Sequence, residues 1–181
     1  MINTKMIVGL SNPIEDYIDT RHNVGSWFIK ILYKKFKIVL KYKKKFFGYI
    51  GLCKCVNNNV YFLIPNIYMN LNGTSIYAVA SFYKIKIKNI LIIQDDLNTF
   101  VGKTKFITSY KNYGHNGIKN IISKFENKVA FNRLCIGIGR PKRNVSLSSY
   151  VLSKPSKEEK KLIFQSIYSS INIVEKFINK N

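Results

Sequence analysis

Acidic residues are scarce in this chain: 9 Asp and Glu stand against 30 Lys and Arg in 181 residues, a formal charge of +21. A polyanionic partner is thereby favoured, because summed positive potential attracts and orients nucleic acid. Arginine is also rare, at four residues, while Ile, Asn and Tyr are abundant. Part of the charge therefore reflects A+T-biased coding rather than RNA contact. The lysines run from Lys34 to Lys45 and recur to Lys180, a spread that fits a solvated exterior better than a membrane-surface helix. No apolar run approaches the roughly 20 residues that cross a bilayer. MINTKMIVGL reads as a first strand with no cleavage signal after it. A soluble cytoplasmic protein with no membrane contact is the expectation.

Cysteine is equally sparse. Cys53, Cys55 and Cys135 form an odd set, and Cys-x-Cys lacks the ligand spacing usual in zinc sites. Reduced thiols are expected, with no disulfide framework and no metal. There is no Gly-x-Ser-x-Gly elbow, and no cysteine neighbours a histidine in the motifs described below, so covalent catalysis has no obvious nucleophile. Any hydrolysis must use water. Only His22 and His115 are present as candidates for imidazole acid/base work near neutral pH.

The patterns that are present describe one domain over residues 1–181, long enough for a sizeable core. Lys5 to Leu10 is an apolar run of strand length. Val24, Trp27, Phe28, Ile31 and Leu32 then follow helical spacing to about Phe36. Phe46 to Cys55 and Val60 to Ile64 read as a hairpin about Asn57-Asn58-Asn59. A helix through Ile76, Val79, Ala80 and Tyr83 has Thr74-Ser75 as its cap. Ile90 to Ile93, Lys103 to Thr108 and Leu134 to Ile138 read as strands, with a helix through Ile118, Ile121, Ile122 and Phe125. Ser156 and Glu159 have capping-box spacing before one long helix with the stripe Ile163, Ile167, Ile171, Val174 and Ile178. Strands alternating with helices, plus a hairpin, predict an α/β fold with a mixed twisted sheet between helices, a three-layer sandwich. The loops after Leu10 and Ile93 then share the carboxyl edge of the sheet, where such folds bind ligands.

The wording at that edge is specific. Residues 9–25 contain G-L-x-N-P, a Tyr at position 17 and T-R-H-N-x-G. In order follow Tyr68-Met69-Asn70-Leu71-Asn72-Gly73, Asp95-Asp96-Leu97, Gly114-His115-Asn116-Gly117, Arg133-Leu134 and Ile136 to Pro141. The set closely resembles the bacterial-type peptidyl-tRNA hydrolases from residue 5 to about 165. The resemblance implies that family's fold, a peptidyl-tRNA substrate, no cofactor and a monomer. It implies His22 as general base, Asp95 as its partner, and Asn12, Asn70 and Asn116 as active-site amides that bind while staying neutral. Tyr17 and Met69 would line the site, with Lys105, Lys111 and Arg133 as phosphate contacts that read RNA shape. His115 would position a loop rather than act as the base. Each residue alone has a plainer reading: His22 as a solvated or capping residue, Asp95, Asn70 and Asn116 as caps, Met69 as core. A non-catalytic RNA-binding module on the same fold is the alternative function.

The chain also departs from the family. Ile14 replaces a usual Gly, which predicts no positive φ there, and Asn98 replaces an Asp. Ser109 to Tyr113 replaces a glycine-rich run, which predicts a less mobile cover carrying two aromatic rings. Ile107 and Cys135 stand where the family carries basic side chains thought to clamp the 5′-phosphate, leaving tRNA attraction mainly to diffuse charge.

Overall fold

The computed structural model describes residues 3–55, 58–125 and 130–180. Seven strands form one sheet: β1 (Asn3–Gly9), β2 (Lys41–Lys43), β3 (Gly48–Lys54), β4 (Asn58–Pro65), β5 (Ile90–Asp96), β6 (Thr104–Ser109) and β7 (Phe131–Gly137), in the order β2-β3-β4-β1-β5-β7-β6. The central four run parallel, while β2, β3 and β6 are antiparallel to their neighbours. Central strands are apolar on both faces, as parallel strands covered on both sides must be. In β1, Ile7 faces one core with Phe28, Leu32, Ile163 and Val174, while Met6 and Val8 face a second core with Ile76, Val79, Ile118 and Ile121.

The helices divide accordingly. α1 (Ile14–Tyr17) is a single turn after β1, and α2 (Val24–Lys35) crosses the first face with α6 (Lys157–Ser169) and α7 (Ile171–Asn179). On the second face lie α3 (Asn72–Phe82) and α4 (Asn116–Lys124), and α5 (Leu147–Val151) precedes the capping box of α6.

Local chemistry explains several differences from the sequence reading. The final helix is two, because Ser166 and Ser169 hydroxyls donate back to Ile163 and Ser166 carbonyls and Ser170 turns its hydroxyl to Thr104. Such back-bonding weakens a helical ladder. α3 begins at Asn72, ahead of Thr74-Ser75, and the Ser75 hydroxyl donates to the Phe46 carbonyl instead of capping. Asn58 and Asn59 belong to β4 rather than to a loop, and Asn58 donates its side-chain amide to the Ile178 carbonyl at the end of α7. Asn57 lies outside the described residues. The short edge strand β2 falls inside the lysine run read as plain exterior. Among the described residues no helix is long and apolar enough to cross a membrane.

Candidate active site

Two glycines bring the first site residue to the sheet. A Cβ on Gly9 would collide with the Gly25 carbonyl, and one on Gly25 would lie 2.5 Å from the Ile93 carbonyl oxygen. The first turn of α2 therefore rests directly on β1 and β5. His22, in the 3-10 turn Arg21–Asn23 just before α2, arrives beside the carboxyl end of β5. Its Nδ1 lies 2.8 and 2.9 Å from the two oxygens of Asp95. Arg21 anchors the same turn through Glu159, Ser153 and the ring of Tyr150.

Asp95 serves both histidines. His115 Nε2 is 3.0 Å from Asp95 Oδ1, and the two imidazole centroids are 5.0 Å apart. His115 is also the N-cap of α4, where its Nδ1 accepts from the Gly117 and Ile118 backbone N–H groups at 3.1 and 3.4 Å. An Nδ1 that accepts leaves the proton on Nε2, so His115 donates to Asp95. His22 Nδ1–H donates to the same carboxylate, which leaves His22 Nε2 with a free lone pair and no protein partner among the described residues. The sequence reading of His115 as a positioning residue placed it in a loop; the structure puts its ring on the carboxylate.

Burial alone would lower the His22 pKa, but the charge of Asp95 and its hydrogen bond outweigh this and hold it above the usual 6.5. Burial pushes Asp95 the other way, towards neutrality. The charges and hydrogen bonds of the two histidines prevail and hold its carboxyl well below the ordinary carboxylate range. His22, Asp95 and His115 offer ligand atoms within 4.8 Å of one another, but the ring nitrogens that face Asp95 carry the protons donated to it, so a metal among them would need both rings to change tautomer. With Nδ1–H given to the Asp95 carboxylate, His22 can take up a further proton only at Nε2.

Asn12 follows β1 and is buried. Its Oδ1 accepts from the Met69 N–H at 2.8 Å, so its amide nitrogen is the end left to donate. Asn23 grips the Asn12 backbone from both sides, accepting from its N–H and donating to its carbonyl. Asn72 does the same for Ser11 and also donates to the Tyr68 carbonyl. Neither Asn23 nor Asn72 was singled out from the sequence, although both lie inside the quoted motifs. Met69 is buried and packs on α4 at Gly117.

A cleft of about 680 Å³ opens at this point, lined by His22, Asp95, Asn116, Lys105, Arg133 and Tyr113 among others. Asn70 is exposed in the 3-10 turn Met69–Leu71, Tyr17 is half-buried at the end of α1 and Lys111 is exposed; none of the three lines the cleft, and neither do the buried Asn12 and Met69. Of the two expected rings, Tyr113 borders the cleft and Tyr110 does not. Ile14 has no positive φ, as expected, whereas Tyr113 has φ +49°. Burial pushes the Cys135 thiol up to about 12, which suits a packed thiol rather than a nucleophile. A larger apolar groove of about 1140 Å³, lined by Trp27, Tyr49 and Phe164, contains neither histidine nor Asp95.

Comparison with known proteins agrees with the motifs. The peptidyl-tRNA hydrolase family model matches residues 6–181. Peptidyl-tRNA hydrolase of Wigglesworthia glossinidia brevipalpis is 48% identical over 178 residues, covering 98% of this chain and 93% of the relative. That of Buchnera aphidicola subsp. Cinara cedri (strain Cc) is 44% identical over 180 residues, covering 99% and 94%. The crystal structure of peptidyl-tRNA hydrolase from Acinetobacter baumannii superposes with a TM-score of 0.90 at 36% identity, covering 98% of this chain and 90% of that one. An Arabidopsis thaliana 5′-methylthioadenosine nucleosidase shares the fold alone, at a TM-score of 0.57 and 8% identity. With its family model, its relatives and its fold in agreement, the chain belongs to the peptidyl-tRNA hydrolase family.

Proposed function

We propose that this protein hydrolyses the ester between peptide and tRNA by direct attack of water, acting as a metal-free monomer in the cytoplasm. The observation that carries the mechanism is the His22 Nδ1–Asp95 bond, which leaves Nε2 as the acceptor of a ring that lines the cleft. Nε2 takes a proton from water as the water oxygen bonds to the ester carbonyl carbon. Negative charge gathers on the carbonyl oxygen, and the Asn12 amide nitrogen, left to donate because Oδ1 is held by the Met69 N–H, is the donor proposed to meet it or to hold the adjacent peptide. The tetrahedral adduct then breaks its bond to the ribose oxygen. The His22 imidazolium returns the proton to that oxygen, giving free tRNA and a peptide carboxylic acid, which loses its proton to solvent. Asp95 stabilises the imidazolium between these steps, and His115, bonded to both Asp95 and the start of α4, fixes the carboxylate in place.

The test uses an N-acetylated aminoacyl-tRNA and its free-amine counterpart, with ester loss as the readout. Only the N-acetylated substrate should turn over, and activity should survive exhaustive dialysis against EDTA. Tight RNA binding without ester loss would identify a binding module instead. Activity lost to EDTA and restored only by added metal would convert the His22, Asp95 and His115 cluster into a metal centre.

A further inference from the structure

The apolar groove of about 1140 Å³ shares no lining residue with the catalytic cleft. Its deeper wall is built by Trp27 and Ile31 of α2, Ile64 of β4 and Phe164 of α6, with the Trp27 and Phe164 rings stacked at 5.6 Å. Its rim carries Ile18, Val39 and Tyr168, which are 43%, 68% and 60% exposed. Apolar surface gathered in a concavity and edged by charge marks a place where another molecule is received.

The charge along this groove is unbalanced. Lys30, Lys34, Lys35 and Lys160 line it beside the carboxylate of Asp19. Asp19 is already held by Lys160 at 3.2 Å and Lys154 at 3.6 Å, and Lys35 pairs with Glu175 at 3.2 Å. Lys30 and Lys34 make no hydrogen bond or ion pair among the described residues. They stand one turn apart on α2, a spacing at which like charges repel. Lys30 is half-buried, and burial lowers its pKa below the ordinary lysine value in spite of the nearby Asp19. An anion seated between the two ammonium groups relieves both effects.

We propose that the groove receives a short amphipathic helix of a partner protein, apolar along one side and carrying Asp or Glu at the edges of that side, with the carboxylates meeting Lys30 and Lys34. The size suits this occupant. Two turns of α-helix with their side chains are about 11 Å long and 10–12 Å across, roughly 850–1200 Å³, whereas the groove exceeds the about 300–1000 Å³ usual for small-molecule pockets. Two turns present the i, i+3, i+4 and i+7 anchors by which helices enter apolar grooves. A flat lipid surface does not reach a wall as deep as Trp27, which is 6% exposed. A second copy of this chain carries +21 and meets the lysines with like charge. The catalytic cleft stays free, so the helix and tRNA bind together.

The test uses an acetylated, amidated peptide of about 12 residues, with Leu at i, i+3, i+4 and i+7 and Glu on both flanks of that stripe, titrated into the full chain. Trp27 is the only tryptophan, and its indole N–H donates to the Ile18 carbonyl at the rim, so one indole resonance reports on the groove. That resonance should shift with a Kd of about 10⁻⁴ M or tighter, and the same peptide with Ala in place of Leu should leave it unmoved. Lys30→Gln with Lys34→Glu should raise Kd about tenfold and should accept instead a peptide flanked by Lys; Gln is chosen at position 30 because Asp19 lies near it. Val39→Ser with Tyr168→Ser, both at exposed positions, should weaken the peptide without lowering Tm. Hydrolysis of N-acetylated aminoacyl-tRNA should be unchanged in both double variants, since none of the four residues lines the cleft. No shift at about 1 mM peptide, or equal binding of the Leu and Ala peptides, would overturn the proposal. Displacement of the peptide by uncharged tRNA would reassign the groove to RNA, and tighter binding of laurate would reassign it to an acyl chain. Binding to phosphatidylglycerol vesicles that both double variants abolish would reassign it to a lipid surface, and each of these three results overturns the helix as occupant.

Discussion

Replacing His22 with alanine is expected to lower kcat by about 10²- to 10⁴-fold, the usual contribution of a positioned general base, while tRNA affinity stays within a few-fold. The separation follows from position. His22 is buried in the cleft with both Asp95 oxygens against Nδ1, and in the proposed mechanism it meets water and the ester carbonyl rather than the phosphate backbone. The folding cost is smaller than the catalytic one, since Asp95 keeps its bond from His115. Single-turnover hydrolysis and a tRNA-binding titration on one preparation separate the two effects. Normal turnover in this variant would remove His22 from the mechanism.

Asp95→Asn should cost on the order of 10³- to 10⁴-fold in kcat, by the tautomer argument that applies to other carboxylate-oriented imidazoles. The carboxylate accepts from two rings at once. An amide in its place has one acceptor and one donor. With its oxygen kept by His115 Nε2–H, whose tautomer is set by the α4 N–H groups, its NH₂ faces His22 Nδ1. The His22 proton then moves to Nε2, where the lone pair is needed. The variant should also lose stability, because a charge-assisted bond contributes about 1.5–3 kcal/mol. A kcat within tenfold of the unmutated protein would show that the tautomer is set by something other than Asp95.

The legible parts of this site were those that sequence motifs and element ends encode directly. His22 and Asp95 each follow a strand-length apolar run, so a parallel sheet had to bring them to one edge, and their bond follows from that placement. The second imidazole on Asp95 was not legible. His115 reaches the carboxylate only because its Nδ1 caps α4, a choice of ring nitrogen that spacing does not reveal. Asn23 and Asn72 were hidden for a related reason: they act on the Asn12 and Ser11 backbone, a task that spacing along the chain does not mark. Asn70 stands at the asparagine of the motif, and only the fold shows that Asn72, two residues on, is the buried amide. The division of the last helix lay in a serine pair whose hydroxyls compete for the helix carbonyls, a weak signal beneath a continuous apolar stripe. The depth of Arg133, whose guanidinium nitrogens find no hydrogen-bond acceptor among the described residues, was not legible either, because a lysine-rich sequence does not disclose burial.

The pH dependence follows from the same pair, with opposite signs for stability and activity. The pKa of folded His22 is raised above 6.5. Its protonated form therefore stabilises the fold fully below the unfolded value, and that contribution is lost as pH rises through the raised value. Catalysis needs the free base, so it appears over the same window. The most direct test is kcat/KM for N-acetylated aminoacyl-tRNA across pH, in the unmutated protein and in His22→Ala. The mechanism predicts a single ascending limb with an apparent pKa above 6.5, present in the unmutated protein and absent from the residual activity of the variant. A flat profile through that window, or the same limb surviving in His22→Ala, would contradict it.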